Sequence, residues 1–434
     1  MTTVLLGLLL AALQGYALMY LLYLWTPAIA ALAGTLCRTA SEHLTAGETR
    51  RRIPLPPAWG GAATREASRE RSFAILISAH DEEAVIGSLL WSLALQHYPE
   101  EKRKVFVVAN NCTDSTATVV RSSGLAVCHE RNTGDLATKG AALAWLWEHV
   151  SEEVADCECI LVLDADNLVA PDFLCEMNRT FDQGFRVVQS ARCAKNPSDS
   201  WTSQLDAISE VLWNQLDQAG RMLLGMSANI AGSGMAFERE VFDRLIAGGL
   251  PGLLEDVEWQ ARLMLDGIAV GYAGQAKVYD EKTRKAGQLG SQRKRWVAGL
   301  ALAGRYYGLP LLLSGVRSRR LQQMVAAFGV TKPPRSLLLV AMGLMALAEL
   351  LFPGAPALLP WGFWVAAIAS FGLYVLLGMV LDGARPGAYL ALAFAPLFAL
   401  MMVGAAITGG LRPSKQRWVP TAHDRGIGID HLQR

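Results

Sequence analysis

Charge is missing from two stretches of this 434-residue chain: residues 1–37 hold no Asp, Glu, Lys or Arg, and Lys282–Arg335 hold no Asp or Glu. A cleaved leader would need a basic start and a shorter apolar core. The first stretch has neither, so Val4–Trp25 is expected to be an uncleaved transmembrane helix that Pro27 bends or ends. The second stretch contains twelve Lys and Arg and forms a basic belt; with Lys+Arg 40 against Asp+Glu 39 overall, the rest of the chain is acidic. Cysteine is also scarce. The seven (Cys37, Cys112, Cys128, Cys157, Cys159, Cys175 and Cys193) form no C-x-x-C pair and have no His at ligand spacing. That argues against a zinc site or disulfide framework and for reduced thiols in a cytoplasmic domain. With 52% hydrophobic and 18% charged residues, the chain is neither disordered nor collagen-like. Its length allows two or three folded units at about 150 residues each.

Three more apolar runs close the chain, near Ser336–Phe352, Leu358–Leu381 and Ala388–Leu411, interrupted by Pro353-Gly354 and Asp382–Gly387. Each is long enough to span a bilayer. Arg38 and Arg50–Arg52 place the region after the first helix in the cytoplasm. Three further crossings would then leave the tail outside, whereas Arg412, Lys415, Arg417 and Arg425 favour the inside. Either one run is interfacial or re-entrant, or the charge rule fails here. The expected organisation is an anchor over 1–37, a proline-containing linker over 38–70, a cytoplasmic domain over 71–280, basic interfacial helices over 281–335, about three membrane helices over 336–411 and a basic tail over 412–434. This describes a multi-pass protein of the inner cell membrane, with no nucleic-acid partner.

The cytoplasmic segment alternates strand and helix. Short apolar runs at Phe73–Ala79, Lys104–Ala109, Leu125–His129, Cys159–Leu163 and Phe185–Gln189 read as strands. Glu83–Gln96, Asp114–Ser123, Thr138–Val150 and Pro171–Gln183 read as helices between them. Repeated strand–helix units predict an α/β fold with a Rossmann-type, mostly parallel sheet and transmembrane helices at both ends. Ligands of such sheets bind beyond the carboxyl ends of the strands. Asp164-Ala-Asp166-Asn167 stands there, directly after the apolar run Ile160–Leu163. Two carboxylates at i and i+2 suit a hard divalent cation that also binds phosphate, although Asp-x-Asp alone is more often a turn. Downstream come Gly232-Ser233-Gly234, a turn into a strand, and Leu254-Glu255-Asp256, the opening of a helix. Gln292-Arg293-Lys294-Arg295-Trp296 then begins the amphipathic part of the belt.

Taken in this order, the motifs resemble the membrane-integrated family-2 glycosyltransferases, the group with cellulose, hyaluronan and poly-N-acetylglucosamine synthases and ceramide glucosyltransferases. The resemblance covers about Ile75–Trp296 and rests on His80-Asp81-Glu82-Glu83, Asp-x-Asp, the Glu-Asp pair and Gln-x-x-Arg-Trp. It implies a GT-A fold in which Asp164 and Asp166 hold Mg2+ or Mn2+ against the donor diphosphate. Asp256 would be the general base, with Glu255 and the Gly232, Ser233 and Gly234 turn beside the acceptor. His80, Glu82, Asn110, Asp114, Lys139, Asp164, Gln292, Arg293 and Arg295 would contact the nucleotide sugar, and Trp296 would stack on the acceptor sugar. One position departs from the family: Asn110 stands where an acidic residue usually meets the nucleobase. An amide both donates and accepts hydrogen bonds, so a UDP-sugar remains the expected donor.

The implied function is inverting transfer from a nucleotide sugar to a growing polysaccharide, with export or accessory subunits as candidate partners alongside membrane lipids. A single transfer to a lipid such as a ceramide or hopanoid is the alternative, and a non-catalytic membrane partner, supported only by Asn110, the remote one. Other features read blandly. Trp145 and Trp147 belong to a core or interface, and Glu349 sits at a membrane interface rather than in a polar conduit.

Overall fold

The computed structural model describes residues 2–44, 69–134, 138–249, 254–352, 359–411 and 428. Most of the expected linker over 38–70, the Pro353-Gly354 break and all of the tail over 412–434 except Gly428 lie outside these residues.

The first half of the segment between the apolar ends is an alternating α/β unit. After α1 (Thr2–Leu44) come β1 (Phe73–Ala79), α2 (Ile86–Ala94), β2 (Arg103–Asn110), α3 (Thr116–Ser123), β3 (Val127–Arg131), α4 (Lys139–Val150) and β4 (Cys159–Asp164). Parallel strands covered on both faces need unbroken apolar sequence. Phe73–Ile77 and Cys159–Leu163 supply it and are fully buried. β1 pairs in parallel with β2 and with β4, and β2 with β3. Ser78 pairs with Asp164 and Ala79 with Ala109, so the three strands run out at one level, which is where the polar residues begin.

The second half departs from simple alternation. It contains β5 (Leu168–Val169), α5 (Phe173–Phe181), β6 (Val187–Ala194), α6 (Trp201–Leu212), a π-helical turn (Trp213–Gln218), α7 (Ala219–Leu223), β7 (Met235–Glu238), α8 (Arg239–Ala247), α9 (Glu255–Leu265) and β8 (Val270–Asp280). The sheet has eight strands in the order β3-β2-β1-β4-β7-β6-β8-β5. β7 runs antiparallel to both β4 and β6, and β5 antiparallel to β8. The mostly parallel, GT-A-like sheet is therefore present, with two reversed strands that the apolar pattern did not reveal.

The remaining helices are α10 (Ala286–Ser318), α11 (Leu321–Thr331), α12 (Arg335–Leu351), α13 (Gly362–Leu381), α14 (Pro386–Leu390) and α15 (Ala395–Leu411). Pro27 does not end α1, which continues to Leu44. α7 packs against α1 at this proline, so closely that a Cβ on Gly220 would lie 2.0 Å from the Pro27 carbonyl oxygen. Gln292–Trp296 and the apolar stretch after it form one 33-residue helix, α10. Four helical stretches among the described residues are long and apolar enough to cross a membrane: Gly7–Cys37, Ala286–Ser318, Gly362–Leu381 and Pro386–Gly410. α11 and α12 would make a fifth as a pair bent by 77°.

Two apolar cores result. One surrounds the sheet and takes in Leu311 of α10 and Ala327 and Val330 of α11. The other joins α1, α12 and α13 to Leu205, Ile208 and Leu212 of α6 and Leu216 of the π turn. Glu349 is buried beside this second core, where its Oε1 accepts hydrogen bonds from Gln14 Nε2 at 3.0 Å and Trp364 Nε1 at 2.9 Å. Trp147 is buried, and its Nε1 donates to Asp243 Oδ1 at 2.9 Å.

Candidate active site

β4 ends on Asp164, and the turn behind it presents Asp166 and Asn167. The Asp164 backbone N–H donates to Asn167 Oδ1 at 3.1 Å and to Ser233 Oγ at 3.0 Å. Asn167 Nδ2 donates to Asp166 Oδ1 at 3.1 Å, and the Glu281 N–H to Asp166 Oδ2 at 3.3 Å. The Asp-x-Asp turn is thereby fastened to the Gly232–Gly234 turn. Gly232 and Gly234 have φ of +74° and +65°, which L side chains rarely adopt. Both positions are also crowded. A Cβ on Gly234 would lie 2.0 Å from Ser190 Oγ, and one on Gly232 would lie 3.3 Å from Asp256 Oδ2.

α4 starts at Lys139, behind an N-cap Thr138 whose Oγ1 accepts from the Ala141 N–H at 3.3 Å. Lys139 Nζ pairs with Asp164, donates to the Gly232 carbonyl at 2.6 Å and lies 3.7 Å from Glu255 Oε1. One ammonium thus ties together β4, the glycine turn and the start of α9. Burial works against its charge, but Asp164 and Glu255 outweigh that and raise its pKa. Glu255 and Asp256 open α9. Burial pushes Glu255 up to about 7, against the pull of Lys139, and raises Asp256 as well. Burial thus favours the protonated form of both adjacent carboxyls, which marks the pair as a candidate for proton transfer.

α10 is held against this cluster by small residues. A Cβ on Gly299 would lie 2.4 Å from Leu254 Cγ, immediately before α9, and one on Gly409 of α15 would lie 2.5 Å from the Lys294 carbonyl oxygen. Arg295 lies within electrostatic reach of Glu255 and Asp164. Arg293 turns instead to Asp206 on α6, and its guanidinium covers the Trp296 ring at 4.2 Å. Gln292 is half-buried one turn before Trp296.

His80, Glu82, Asn110 and Asp114 form a separate group at the ends of β1 and β2. His80 Nδ1 lies 2.7 Å from the Asn110 carbonyl oxygen, and the Glu82 N–H donates to Thr116 Oγ1 at 2.8 Å. Asp114 accepts from the Thr116 and Glu83 N–H groups at 2.9 and 3.0 Å. Its pKa falls below the ordinary value because hydrogen bonds, Thr116 foremost, outweigh its partial burial. Ligand atoms of Asp81, Cys112 and Asp114 lie within 4.8 Å of one another. Asp81 Oδ1 is nevertheless bonded to the Thr113 N–H at 2.6 Å, so these carboxylates read as turn caps. Asn110 is buried, and its Oδ1 accepts from Arg131 Nη1 at 3.0 Å.

The structure therefore gathers Lys139, Asp164, Asp166, Gly232, Ser233, Gly234, Glu255, Asp256 and Arg295 into one crevice. Arg293 and Trp296 stand as a stacked pair against α6. The donor set of Asp164 and Asp166, two hard oxygen ligands at a strand end, fits a divalent Mg2+ or Mn2+. Several supporting residues gave no signal in the sequence. Gln189 brackets the glycine turn, accepting from the Ala231 N–H and donating to the Ser233 carbonyl, both at 2.9 Å. Arg192 donates to the Ala231 carbonyl at 2.9 Å and to Asp280 Oδ2 at 2.6 Å. Lone polar residues inside apolar strands have no periodicity to betray them. Arg131, at a strand end beside Asn110, could have been found by the same rule that found Asp164.

Over 232 residues the chain is 27% identical to the beta-monoglucosyldiacylglycerol synthase of Nostoc sp. (strain PCC 7120), covering 52% of this chain and 48% of that protein. A probable glycosyltransferase of Bacillus subtilis, YdaM, is 25% identical over 235 residues, covering 52% and 54%. The chain thus spans about half the length of the curated relatives it matches. Among solved structures, the mannosyltransferase PcManGT of Pyrobaculum calidifontis, in complex with GDP-Man and Mn2+, has a TM-score of 0.52 at 17% identity, covering 94% of this chain and all of that one. That likeness concerns the fold. The model of the family described as glycosyltransferase like family 2 matches residues 70–299, the α/β unit together with the Gln292–Trp296 turn, and the chain belongs to that family.

Proposed function

We propose that this glycosyltransferase transfers a sugar from a nucleotide donor, with inversion, to a hydroxyl of a membrane lipid. The observation that carries the reading is Lys139, whose ammonium joins Asp164, the Gly232 carbonyl and Glu255 and so brings the expected phosphate, acceptor and base positions into one crevice. In the reaction Asp256 takes the proton of the acceptor hydroxyl, the acceptor oxygen bonds to the anomeric carbon, and the bond from that carbon to the diphosphate breaks. Lys139 and Arg295 offset charge on the departing diphosphate. Asp164 and Asp166 would hold Mg2+ or Mn2+, which when bound supplies further neutralisation there. His80, Glu82, Asn110 and Asp114 would face the nucleoside. Uridine is the base we infer, with the amide of Asn110 in place of a carboxylate.

A lipid acceptor is supported by α10. Tyr306, Leu309, Leu313 and Val316 are exposed at spacings of three and four residues, which puts them on one face of the helix whose first turns border the crevice. Arg317, Arg319 and Arg320 follow. Such a helix suits the cytoplasmic membrane surface, apolar face in the acyl region and cations at the headgroups. Three of the relatives found are named as glucosyldiacylglycerol synthases, which is consistent with this choice. A second reading, elongation of a polysaccharide with the help of export or accessory subunits, is favoured by the Arg293–Trp296 stack, a flat surface suited to a sugar ring. Sizing products made by the purified protein from labelled UDP-sugars with Mn2+ tests both. A single organic-extractable glycolipid supports the first reading, a ladder supports the second, and no transfer from any nucleotide sugar defeats both.

A further inference from the structure

We propose that the break between α11 and α12 binds the phosphate of an anionic glycerophospholipid through Lys332 and Arg335. Lys332 caps the end of α11, Arg335 begins α12, and Pro333-Pro334 lies between them at the 77° bend. The Lys332 ammonium stands 5.4 Å from the centre of the Tyr23 ring of α1, and the Arg335 guanidinium 5.4 Å from that of Tyr374 on α13. A third cation, Arg221 of α7, is buried 5.2 Å from the same Tyr23 ring and donates to the Tyr23 hydroxyl at 2.8 Å. Three positive side chains from three elements therefore crowd round two tyrosines.

The negative charge there does not match. Asp217 is the carboxylate that faces Lys332 and Arg335. It is already engaged, with Oδ1 accepting from Arg221 Nε at 3.0 Å and Oδ2 from Asn229 Nδ2 at 3.3 Å. Among the described residues neither Lys332 nor Arg335 has an ion-pair partner, so Lys332, Arg335 and Arg221 stand as three positive groups against the one carboxylate of Asp217 there. Aromatic faces stabilise and orient such cations but do not neutralise them. Cations partly withdrawn from water, as the half-buried Lys332 and Arg335 are, gain from a counter-ion, and a phosphodiester at this point would supply one through charge-assisted hydrogen bonds.

The position selects a lipid as the source of that phosphate. On one side of the cluster lie the π turn and α7 of the catalytic part. On the other, α12 and α13 carry exposed leucines, among them Leu344, Leu347 and Leu373, where acyl chains would lie. Tyrosine, lysine and arginine concentrate at the headgroup level of membrane proteins. Lys332 and Arg335 are both half-buried, accessible from that level. The inference rests on the membrane reading of α1, α12 and α13 and is independent of which sugar is transferred.

The test is lipid retention by the full chain in nanodiscs of phosphatidylcholine with an equal part of phosphatidylglycerol, read by mass spectrometry after stripping with detergent. The wild type should keep phosphatidylglycerol in preference to phosphatidylcholine, and Lys332→Gln/Arg335→Gln, which removes both charged contacts, should reduce that preference by at least about tenfold, the scale of a single one. Cooperative melting of tryptophan fluorescence establishes that the variant is folded. Should the double variant fail to reconstitute, Lys332→Gln alone is compared with Lys332→Arg, and only the former should lose the preference. No preference in the wild type, an unchanged preference in the charge-removing variants, or displacement of phosphatidylglycerol by inorganic phosphate alone would each overturn the proposal.

Discussion

Asp256 and Glu255 are neighbours in sequence with different surroundings: Lys139 lies 3.7 Å from Glu255 Oε1, whereas Asp256 Oδ2 faces the Gly232 backbone. Asp256→Asn keeps the shape and removes the proton acceptor. Transfer should fall by about 10²–10⁴-fold with nucleotide binding retained, measured by initial rates and calorimetry. Asp164→Asn and Asp166→Asn should abolish the metal-stimulated rate, because an amide is a weaker, neutral ligand for a hard cation; full activity in excess chelator would contradict this. Glu255 also makes stability depend on pH. Its carboxyl holds a proton up to about pH 7 when folded and releases it near 4.5 when unfolded. The stabilising contribution is then complete below about pH 4.5 and is lost as pH rises through 7. Glu255→Gln should remove that loss, so the melting temperature of the variant relative to wild type should rise between pH 5 and pH 8.

Among the elements, those with one regular environment were legible in the sequence. β1 is Phe73–Ala79, as its apolar run implies, and Thr138 caps α4 where the helical pattern begins. Asp164, Asp256 and Arg295 could be found because each starts or ends an element or sits in a dense motif. The π turn and β5 could not, and of β7, the strand expected after the Gly232–Gly234 turn, the reversed direction could not, since partners far along the chain set it. Arg293 shows the same limit: its pairing with Asp206 depends on α6, whose position no local pattern encodes. Close helix contacts were equally hidden. Gly299→Leu would force α10 off Leu254, so donor turnover should drop while the sheet stays folded, checked by rate against circular dichroism. Gly220→Leu meets the Pro27 carbonyl, a backbone atom that cannot swing away. It should cost about 1–3 kcal/mol, the range for overpacking, read as a lower melting temperature.

For the molecule as a whole, the second core makes the catalytic part and the candidate membrane helices one object. Leu205, Ile208, Leu212 and Leu216 face α1, α12 and α13, and Arg221 bonds to Tyr23. A fragment spanning 69–280 would expose this face and leave the Asp217–Arg221 pair without its cover, so it is expected to aggregate on expression where the full chain in detergent does not. Light scattering of the two preparations decides the point.

The notch at Gly220 sets a timetable for synthesis. Its partner, Pro27, leaves the ribosome nearly two hundred residues earlier, an interval of roughly 10–40 s at 5–20 residues per second. For that time α1 has no α7 to lean on. A helix in lipid satisfies its own backbone, so it can wait there intact. The domain folding below it is thereby born already tethered, and the search for its membrane partners takes place in two dimensions rather than three.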